Sequence, residues 1–142
     1  MLRNFSRSAE RRAERRLRAL RDVIRALSGS GASVVLFGSW ARGEAAAASD
    51  FDILLIARNP KLRDRLVRTL RSSNIPADVH WFTPDEAERL LPYSSILLDA
   101  LQEGVVLLDE AGISGLLRRA KELGRRGVGR VAGGWRLGEP EE

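Results

Sequence analysis

The sequence predicts an α/β fold in which a small mixed β-sheet is backed by helices. Short apolar runs, such as residues 53–57 and 105–108, have the length of buried strands. Segments with apolar residues at three- and four-residue spacing lie between these runs, as expected of amphipathic helices. Clusters of Gly, Pro, Ser and Asn separate the two kinds of segment. The chain has 142 residues, the size of a single domain with one substantial core.

The first elements are a long basic helix and two strands. The periodicity of residues 8–28 predicts the helix, and the Ser and Gly residues at 28–31 end it. Its apolar stripe consists of Leu17, Leu20, Val23, Ile24 and Leu27. Residues 33–37 predict a strand that runs directly into Gly38-Ser39. A second strand, residues 51–57, follows a segment of mostly small residues over 44–49.

Clear capping residues mark the middle helices. Asn59 followed by Pro60 predicts the start of a helix of about a dozen residues, because Asn caps well and Pro fits the first helical position. Residues 76–82 predict a third strand. The sequence Thr83-Pro84-Asp85-Glu86 is a capping box with Pro at the first helical position, so the next helix begins there.

The C-terminal third completes the domain. A helix opens at Ser94 or Ser95 and stops at Gly104, and residues 105–108 predict a fourth strand. The periodicity predicts a last helix over 112–123. We therefore expect one domain over 1–123, with its core over 32–109, and an irregular Gly/Arg-rich tail over 124–142.

Composition excludes several classes of protein. The chain contains no cysteine, which removes disulfides, thiolate metal sites and cysteine nucleophiles. No apolar stretch approaches the length of a membrane span. The basic N-terminus lacks the apolar segment of a secretory signal. We therefore expect a soluble cytoplasmic protein with no membrane partner.

The net charge of +5 is unevenly distributed. Residues 1–30 carry nine Arg against three acidic residues, whereas residues 31–117 carry eight basic against twelve acidic residues. An acidic centre between basic ends is typical of a metal site flanked by surfaces that attract phosphate. Two alternatives stay open for the basic ends. They are well-solvated helical surfaces, or they form a surface that contacts nucleic acid.

The stretch from Val34 to Ile56 carries the chemistry. An apolar strand delivers the chain to Gly38-Ser39, where unpaired backbone N–H groups and the Ser39 hydroxyl form a seat for phosphate. Arg42, about one turn later, is placed to meet a terminal phosphate. The alternative is that Arg42 pairs with Glu44 or solvent and makes no contact with a ligand. Asp50 and Asp52 then lie at the start of a strand, where side-chain period two predicts that both carboxylates share a face. Such a pair repels unless a cation lies between, and oxygen ligands favour Mg²⁺.

The pattern Gly38-Ser39, Gly43 and Ser49-Asp50-x-Asp52 resembles the signature of the DNA polymerase beta-type nucleotidyltransferase superfamily, and is most similar to its minimal stand-alone branch. The resemblance covers about residues 15–85 and implies the polymerase beta-like fold. It also implies Mg²⁺ and an NTP, ATP in the first instance, as cofactor and substrate. By that resemblance the Asp pair holds the metal and Gly38, Ser39 and Arg42 contact the nucleotide.

The same resemblance implies a third carboxylate on a later strand, which completes the metal site and accepts the acceptor's proton. Asp78 is the candidate, because it alternates with apolar Val79 and Trp81. Asp64 is a rival that lies among arginines on a helix, where a surface ion pair is the better account. Asp85 lies in the first turn of a predicted helix, within the capping box, so a role at the helix start accounts for it better than metal binding does. An Asp78 that merely pairs with an arginine at the sheet edge is the structural alternative.

Two further residues near this site have open roles. His80, the single histidine, shares the predicted face of Asp78. It is a packing residue, a phosphate contact or an aid to proton transfer. Trp40 follows Gly38-Ser39 and is expected to cover the short helix rather than stack on a base. The loop of four alanines, residues 45–48, is expected to be a spacer.

The resemblance implies attack by an acceptor hydroxyl on the α-phosphorus of the NTP, with release of pyrophosphate. In the minimal branch it implies a separately encoded helical HEPN partner, with a tyrosine of that partner as acceptor and an antitoxin role. The C-terminal extension departs from the shortest antitoxin type. The alternatives are a small-molecule nucleotidyltransferase and a nucleotide- or partner-binding module without turnover. A homo- or hetero-oligomer is expected.

Overall fold

The computed structural model describes residues 6–138, and its elements form the expected α/β architecture. The helices are α1 (Arg7–Arg25), α2 (Ser39–Arg42), α3 (Pro60–Ser72), α4 (Pro84–Leu90), α5 (Ser95–Glu103) and α6 (Ser114–Arg125). The strands are β1 (Ser33–Phe37), β2 (Phe51–Ile56), β3 (Ala77–Phe82), β4 (Val105–Asp109), β5 (Gly129–Val131) and β6 (Gly134–Arg136). Within residues 6–138, no helix is both long enough and apolar enough to cross a membrane.

The main sheet has four strands in the order β3-β2-β1-β4 and is mixed, as predicted. Strand β1 pairs antiparallel with both β2 and β4, whereas β2 pairs parallel with β3. The two central strands, β1 and β2, are the most apolar, because both of their faces are covered by helices. The parallel pairing places the starts of β2 and β3 beside each other, next to the end of β1.

Two hydrophobic cores lie on opposite faces of the sheet. Helices α1 and α3 cover one face, where Ile53 and Leu55 of β2 are fully buried. Helices α4, α5 and α6 cover the other face, where Leu54 and Ile56 are fully buried. Successive residues of a strand point to opposite faces, so the single run FDILLI supplies both cores. Asp52 belongs to the second face and lies at its end.

Helix α1 is shorter than predicted. The Ser6 hydroxyl caps its start, and the helix ends at Arg25 instead of continuing to residue 28. Residues 27–30 form successive short-range turns, with Leu27 still buried in the core. The carboxylate of Glu110 then accepts the backbone N–H groups of Gly29 and Gly31, which fastens this turn to the end of β4.

The capping predictions are confirmed. The Asn59 side chain accepts the N–H of Lys61 at the start of α3. Thr83 and Glu86 form the reciprocal capping box of α4. Helix α5 ends before Gly104 as expected. Helix α6 begins at residue 114 and ends at residue 125, two residues later at each end than the predicted span of 112–123.

The prediction of an irregular tail is wrong for the described part. Strands β5 and β6 form an antiparallel hairpin joined by a two-residue turn, in which Gly133 adopts a φ of 83°. Trp135 packs against the core beneath α5 and α6. The Gln102 side chain of α5 donates to the carbonyl of Val128 at 2.9 Å. These contacts with distant residues order a segment whose own sequence resembles a loop.

Candidate functional site

The end of β1 turns sharply at Gly38, directly against Asp52. Gly38 has φ 73° and ψ −150°, a conformation that essentially only glycine adopts. A Cβ atom at this position would overlap the Asp52 carboxylate. The predicted turn into a short helix is therefore confirmed, and glycine permits the carboxylate to lie against the backbone.

Asp52 and Asp78 are direct neighbours on the parallel strands β2 and β3, where they are register partners. Their side chains share the sheet face that Phe37 of β1 also occupies, because Phe37 is the register partner of Asp52 on the other side. Burial raises the pKa of Asp52, and the negative charge of Asp78 raises it further. A cation between the two carboxylates would relieve both effects.

Asp50 precedes the first residue of β2 and is exposed. It lines an opening of about 280 Å³ on the α3 side of the sheet, together with Arg71, Ile75 and Val79. Among residues 6–138, no three His, Cys, Asp or Glu side chains are close enough to form a preformed metal site. The structure thus brings Asp52 and Asp78 together and does not group Asp50 with them.

The loop before Asp50 is fixed by two side chains. Arg16 of α1 donates to the carbonyls of Ala47 and Ser49, at 2.5 and 2.8 Å. The indole N–H of Trp40 donates to the same Ser49 carbonyl at 3.0 Å. Trp40 is 2% exposed and stacks at an angle on Phe51, so it covers the short helix as predicted.

The Arg16 guanidinium lies over two aromatic rings, 4.9 Å from the Phe51 centroid and 5.4 Å from that of Trp40. Burial lowers the pKa of Arg16, while the negative charge of Asp50 acts in the opposite direction. The loop of small residues is therefore more than a spacer, because a half-buried cation and an indole together set the path of the chain into Asp50.

Arg42 makes ion pairs with acidic side chains. Its Nη1 lies 3.1 Å from Asp99 of α5, and its Nε lies 3.3 Å from Glu44. Burial alone would lower the pKa of Arg42, but the charges and hydrogen bonds of Asp99 and Glu44 raise it above its usual value. The structure thus shows the alternative pairing of Arg42 with Glu44, together with a second pair to Asp99, and the phosphate contact stays a prediction.

Ser39 and His80 lie around the carboxylate pair. Ser39 is the first residue of α2 and is partly exposed, and its hydroxyl makes no hydrogen bond to another residue within 6–138. His80 lies two residues after Asp78 on the same face of β3, with its ring 5.6 Å from the ring of Phe37. His80 therefore packs on an aromatic ring while remaining close to Asp52.

The rival acids lie elsewhere. Asp64 is exposed and pairs with Arg63 at 3.3 Å, in agreement with the surface ion pair expected for it. Asp85 is exposed in the first turn of α4, where a negatively charged side chain interacts favourably with the helix dipole. Neither residue lies on the sheet face of Asp52.

Sequence reasoning missed Asp99 and Arg16. Asp99 lies 57 residues after Arg42, and its negative charge is one of those that raise the pKa of Asp52. A polar residue within the apolar sequence Leu97-Leu98-Asp99-Ala100-Leu101 was the available signal. Arg16 had no comparable signal, because it is one of eight arginines in α1.

A family model described as a nucleotidyltransferase domain matches residues 17–107, which include Gly38, Asp52, Asp78 and Asp99 but not Arg16. No curated protein matches the sequence significantly.

Two solved structures are similar to this fold. A Sulfolobus solfataricus protein, assigned as a nucleotidyltransferase, has 22% identity and a TM-score of 0.51, over 78% of this chain and 95% of its own. This similarity confirms the fold. A mutant of the toxin-antitoxin pair MntA-HpeT has 18% identity and a TM-score of 0.47, over 80% of this chain and 87% of its own. A TM-score below 0.5 is too low to support a functional inference.

Proposed function

This chain belongs to the nucleotidyltransferase domain family, and we propose that it transfers AMP from ATP to an acceptor hydroxyl with release of pyrophosphate. The observation that carries this proposal is the placement of Asp52 and Asp78 in register, directly beside Gly38 and the start of α2. In this proposal the carboxylate pair holds the metal ion and the neighbouring phosphate seat holds the nucleotide, which are the two functions that such a transfer needs.

Asp52 and Asp78 fit Mg²⁺, because they offer carboxylate oxygens on neighbouring strands, and burial together with the negative charge of Asp78 raises the pKa of Asp52. We propose Asp50, Asp52 and Asp78 as ligands, with Asp50 completing the set from the segment before β2. When bound, Mg²⁺ would supply Lewis-acid polarisation of phosphate oxygens and neutralise the charge of the leaving pyrophosphate.

The other residues position the nucleotide. We propose that Gly38 permits close approach of the phosphates to the backbone, where the Ser39 hydroxyl donates to a phosphate oxygen. Arg42 supplies positive charge beside the same seat. The protein's contribution is then largely positioning and charge neutralisation.

In the transfer, the acceptor oxygen forms a bond to the α-phosphorus while the bond from the α-phosphorus to the bridging oxygen of the β-phosphate breaks. The acceptor's proton passes to the carboxylate of Asp78 in this proposal. Asp78 is exposed, whereas Asp52 is partly buried against Gly38. An entering acceptor can therefore reach Asp78 more readily than Asp52.

We propose a tyrosine hydroxyl of a HEPN-type helical partner as the acceptor. The support for this step is the resemblance of residues 38–52 to the minimal nucleotidyltransferase branch. The alternatives are a small-molecule hydroxyl and binding without turnover.

The test is transfer of label from α-³²P ATP, with Asp78→Asn as the decisive variant. Losing a ligand and a proton acceptor should lower the transfer rate by about 10²-fold or more. Melting should be little changed, because Asp78 is exposed. Asp64→Asn is the matched control and should retain full transfer. An Asp78→Asn rate within twofold of wild type would contradict the proposed site.

The choice of acceptor separates the remaining alternatives. Label on the partner that disappears when its tyrosine is replaced by Phe supports the HEPN proposal. Label on a small molecule instead assigns a different acceptor to the same site. Mg²⁺-dependent ATP binding without label on any acceptor favours the binding module.

A further inference from the structure

The ion pair between Arg42 and Asp99 joins the short helix α2 to helix α5 across the site. The Nη1 of Arg42 lies 3.1 and 3.2 Å from the two carboxylate oxygens of Asp99. The two side chains are only 21% and 13% exposed. This pair is therefore better shielded than an ordinary surface ion pair, which contributes little to stability.

Two of the three guanidinium nitrogens of Arg42 are engaged. Nε donates to Glu44, and Nη1 donates to Asp99 and lies 3.8 Å from Glu103. The Nη2 atom of Arg42 makes no hydrogen bond to any residue within 6–138. The guanidinium is thus held by carboxylates through Nε and Nη1, while Nη2 keeps donors for a further acceptor.

Arg42 ends the short helix whose start lies against the carboxylate pair. Its backbone N–H donates to the Gly38 carbonyl at 3.2 Å, and a Cβ atom at Gly38 would overlap the Asp52 carboxylate. An acid near Asp52 adds to the repulsion of an already acidic centre, and an apolar residue in α5 would avoid that cost. The repulsion is offset only because Arg42 pairs with Asp99, so the two residues act together.

We propose that Asp99 is a positioning residue, which holds the Arg42 guanidinium so that Nη2 faces the β- and γ-phosphates of the bound NTP. This inference rests on the proposed function. Arg42 contacts the ligand, and Asp99 acts only through Arg42. Helix α5 thereby takes part in nucleotide binding although it carries no phosphate contact of its own.

The experiment is a double-mutant cycle on nucleotide affinity, measured by calorimetry with Mg-ATP and with AMP. Arg42→Ala should weaken Mg-ATP binding about tenfold or more, because it removes a charge-assisted hydrogen bond. Asp99→Asn keeps the shape of the side chain and should weaken Mg-ATP binding about threefold to tenfold. AMP lacks the β- and γ-phosphates, so neither variant should change its affinity by more than about twofold.

The cycle distinguishes positioning from general support of the fold. In the Arg42→Ala background, Asp99→Asn should have no further effect on Mg-ATP affinity. Glu103→Gln is the matched control, since Glu103 approaches the same Nη1 only at 3.8 Å and is 37% exposed. This control should bind Mg-ATP like the wild type.

Three outcomes would overturn the inference. They are an unchanged Mg-ATP affinity in Asp99→Asn, an equal loss of Mg-ATP and AMP affinity, and additive effects in the double variant. A lower melting temperature with unchanged Mg-ATP affinity likewise shows that Asp99 is only structural. A wild-type protein that binds no Mg-ATP contradicts the proposed function, and this inference with it. Normal wild-type binding with an uncoupled Asp99 contradicts this inference alone.

Discussion

Replacing Gly38 with Ala should damage the site more than the fold. The backbone of Gly38, with φ 73° and ψ −150°, lies in a region that costs an L-residue about 1–3 kcal/mol. The added Cβ would also overlap the Asp52 carboxylate. The Asp52 side chain can move away at low cost in stability. We therefore expect a moderate loss of stability and a large loss of transfer.

The expected loss of transfer follows from geometry. A displacement of about 1 Å in a reacting group can lower the rate about 100-fold. We expect a reduction of that order for Gly38→Ala, together with weaker dependence of ATP binding on Mg²⁺. The measurements are urea denaturation for stability and label transfer from α-³²P ATP for activity.

Gly31→Ala is the matched control. Gly31 also has a positive φ, 82°, but no neighbouring atom lies within 4 Å of the position that an added Cβ would occupy. It should lose about 1–2 kcal/mol of stability through backbone strain and retain normal transfer. A Gly38→Ala variant that matches this control in both stability and transfer would refute the proposed contact with Asp52.

Two further predictions concern stability. Arg16→Met keeps packing on the aromatic rings but removes two hydrogen bonds to the loop before Asp50, so it should cost about 1–3 kcal/mol in urea denaturation. Arg15→Met, at an exposed neighbour, should cost less than about 0.5 kcal/mol, and equal losses would contradict the role of Arg16. Burial would raise the pKa of Asp109, but hydrogen bonds from the Ser33 hydroxyl and two backbone N–H groups lower it overall. Its stabilisation is therefore complete above the unfolded-state pKa of about 3.9 and is lost as the pH falls through the lower folded-state pKa. Asp109→Asn should flatten that acid-range loss in a series of urea titrations, and an unchanged pH profile would contradict the hydrogen-bond account.

Local sequence was sufficient to predict the elements from α1 to α6 and the turn at Gly38, where the phosphate seat is predicted. The capping residues Asn59 and Thr83 act within one helical turn, so their helix starts were predicted correctly. The turn at Gly38 and the alternation of β2 likewise depend on adjacent residues. The mixed sheet followed from the lengths and order of these segments.

The alternation of side chains along a strand does not predict the position of Asp50. The sequence predicts a shared face for Asp50 and Asp52, but β2 begins at Phe51, and the regular alternation of side chains holds only within a strand. Its proposed role as a metal ligand stays a prediction.

Only the tertiary structure decided which distant residues meet. The register of β2 with β3 places Asp78 beside Asp52, and the packing of α5 brings Asp99 to Arg42. The hairpin β5-β6 is held in place by Trp135, which packs against the core, and by Gln102 of α5, whose side chain donates to the Val128 carbonyl just before β5. Caps, turns and strand alternation depend on residues a few positions apart, which the sequence displays directly. Ion pairs and strand register depend on how the whole chain buries its apolar surface, which no local pattern specifies.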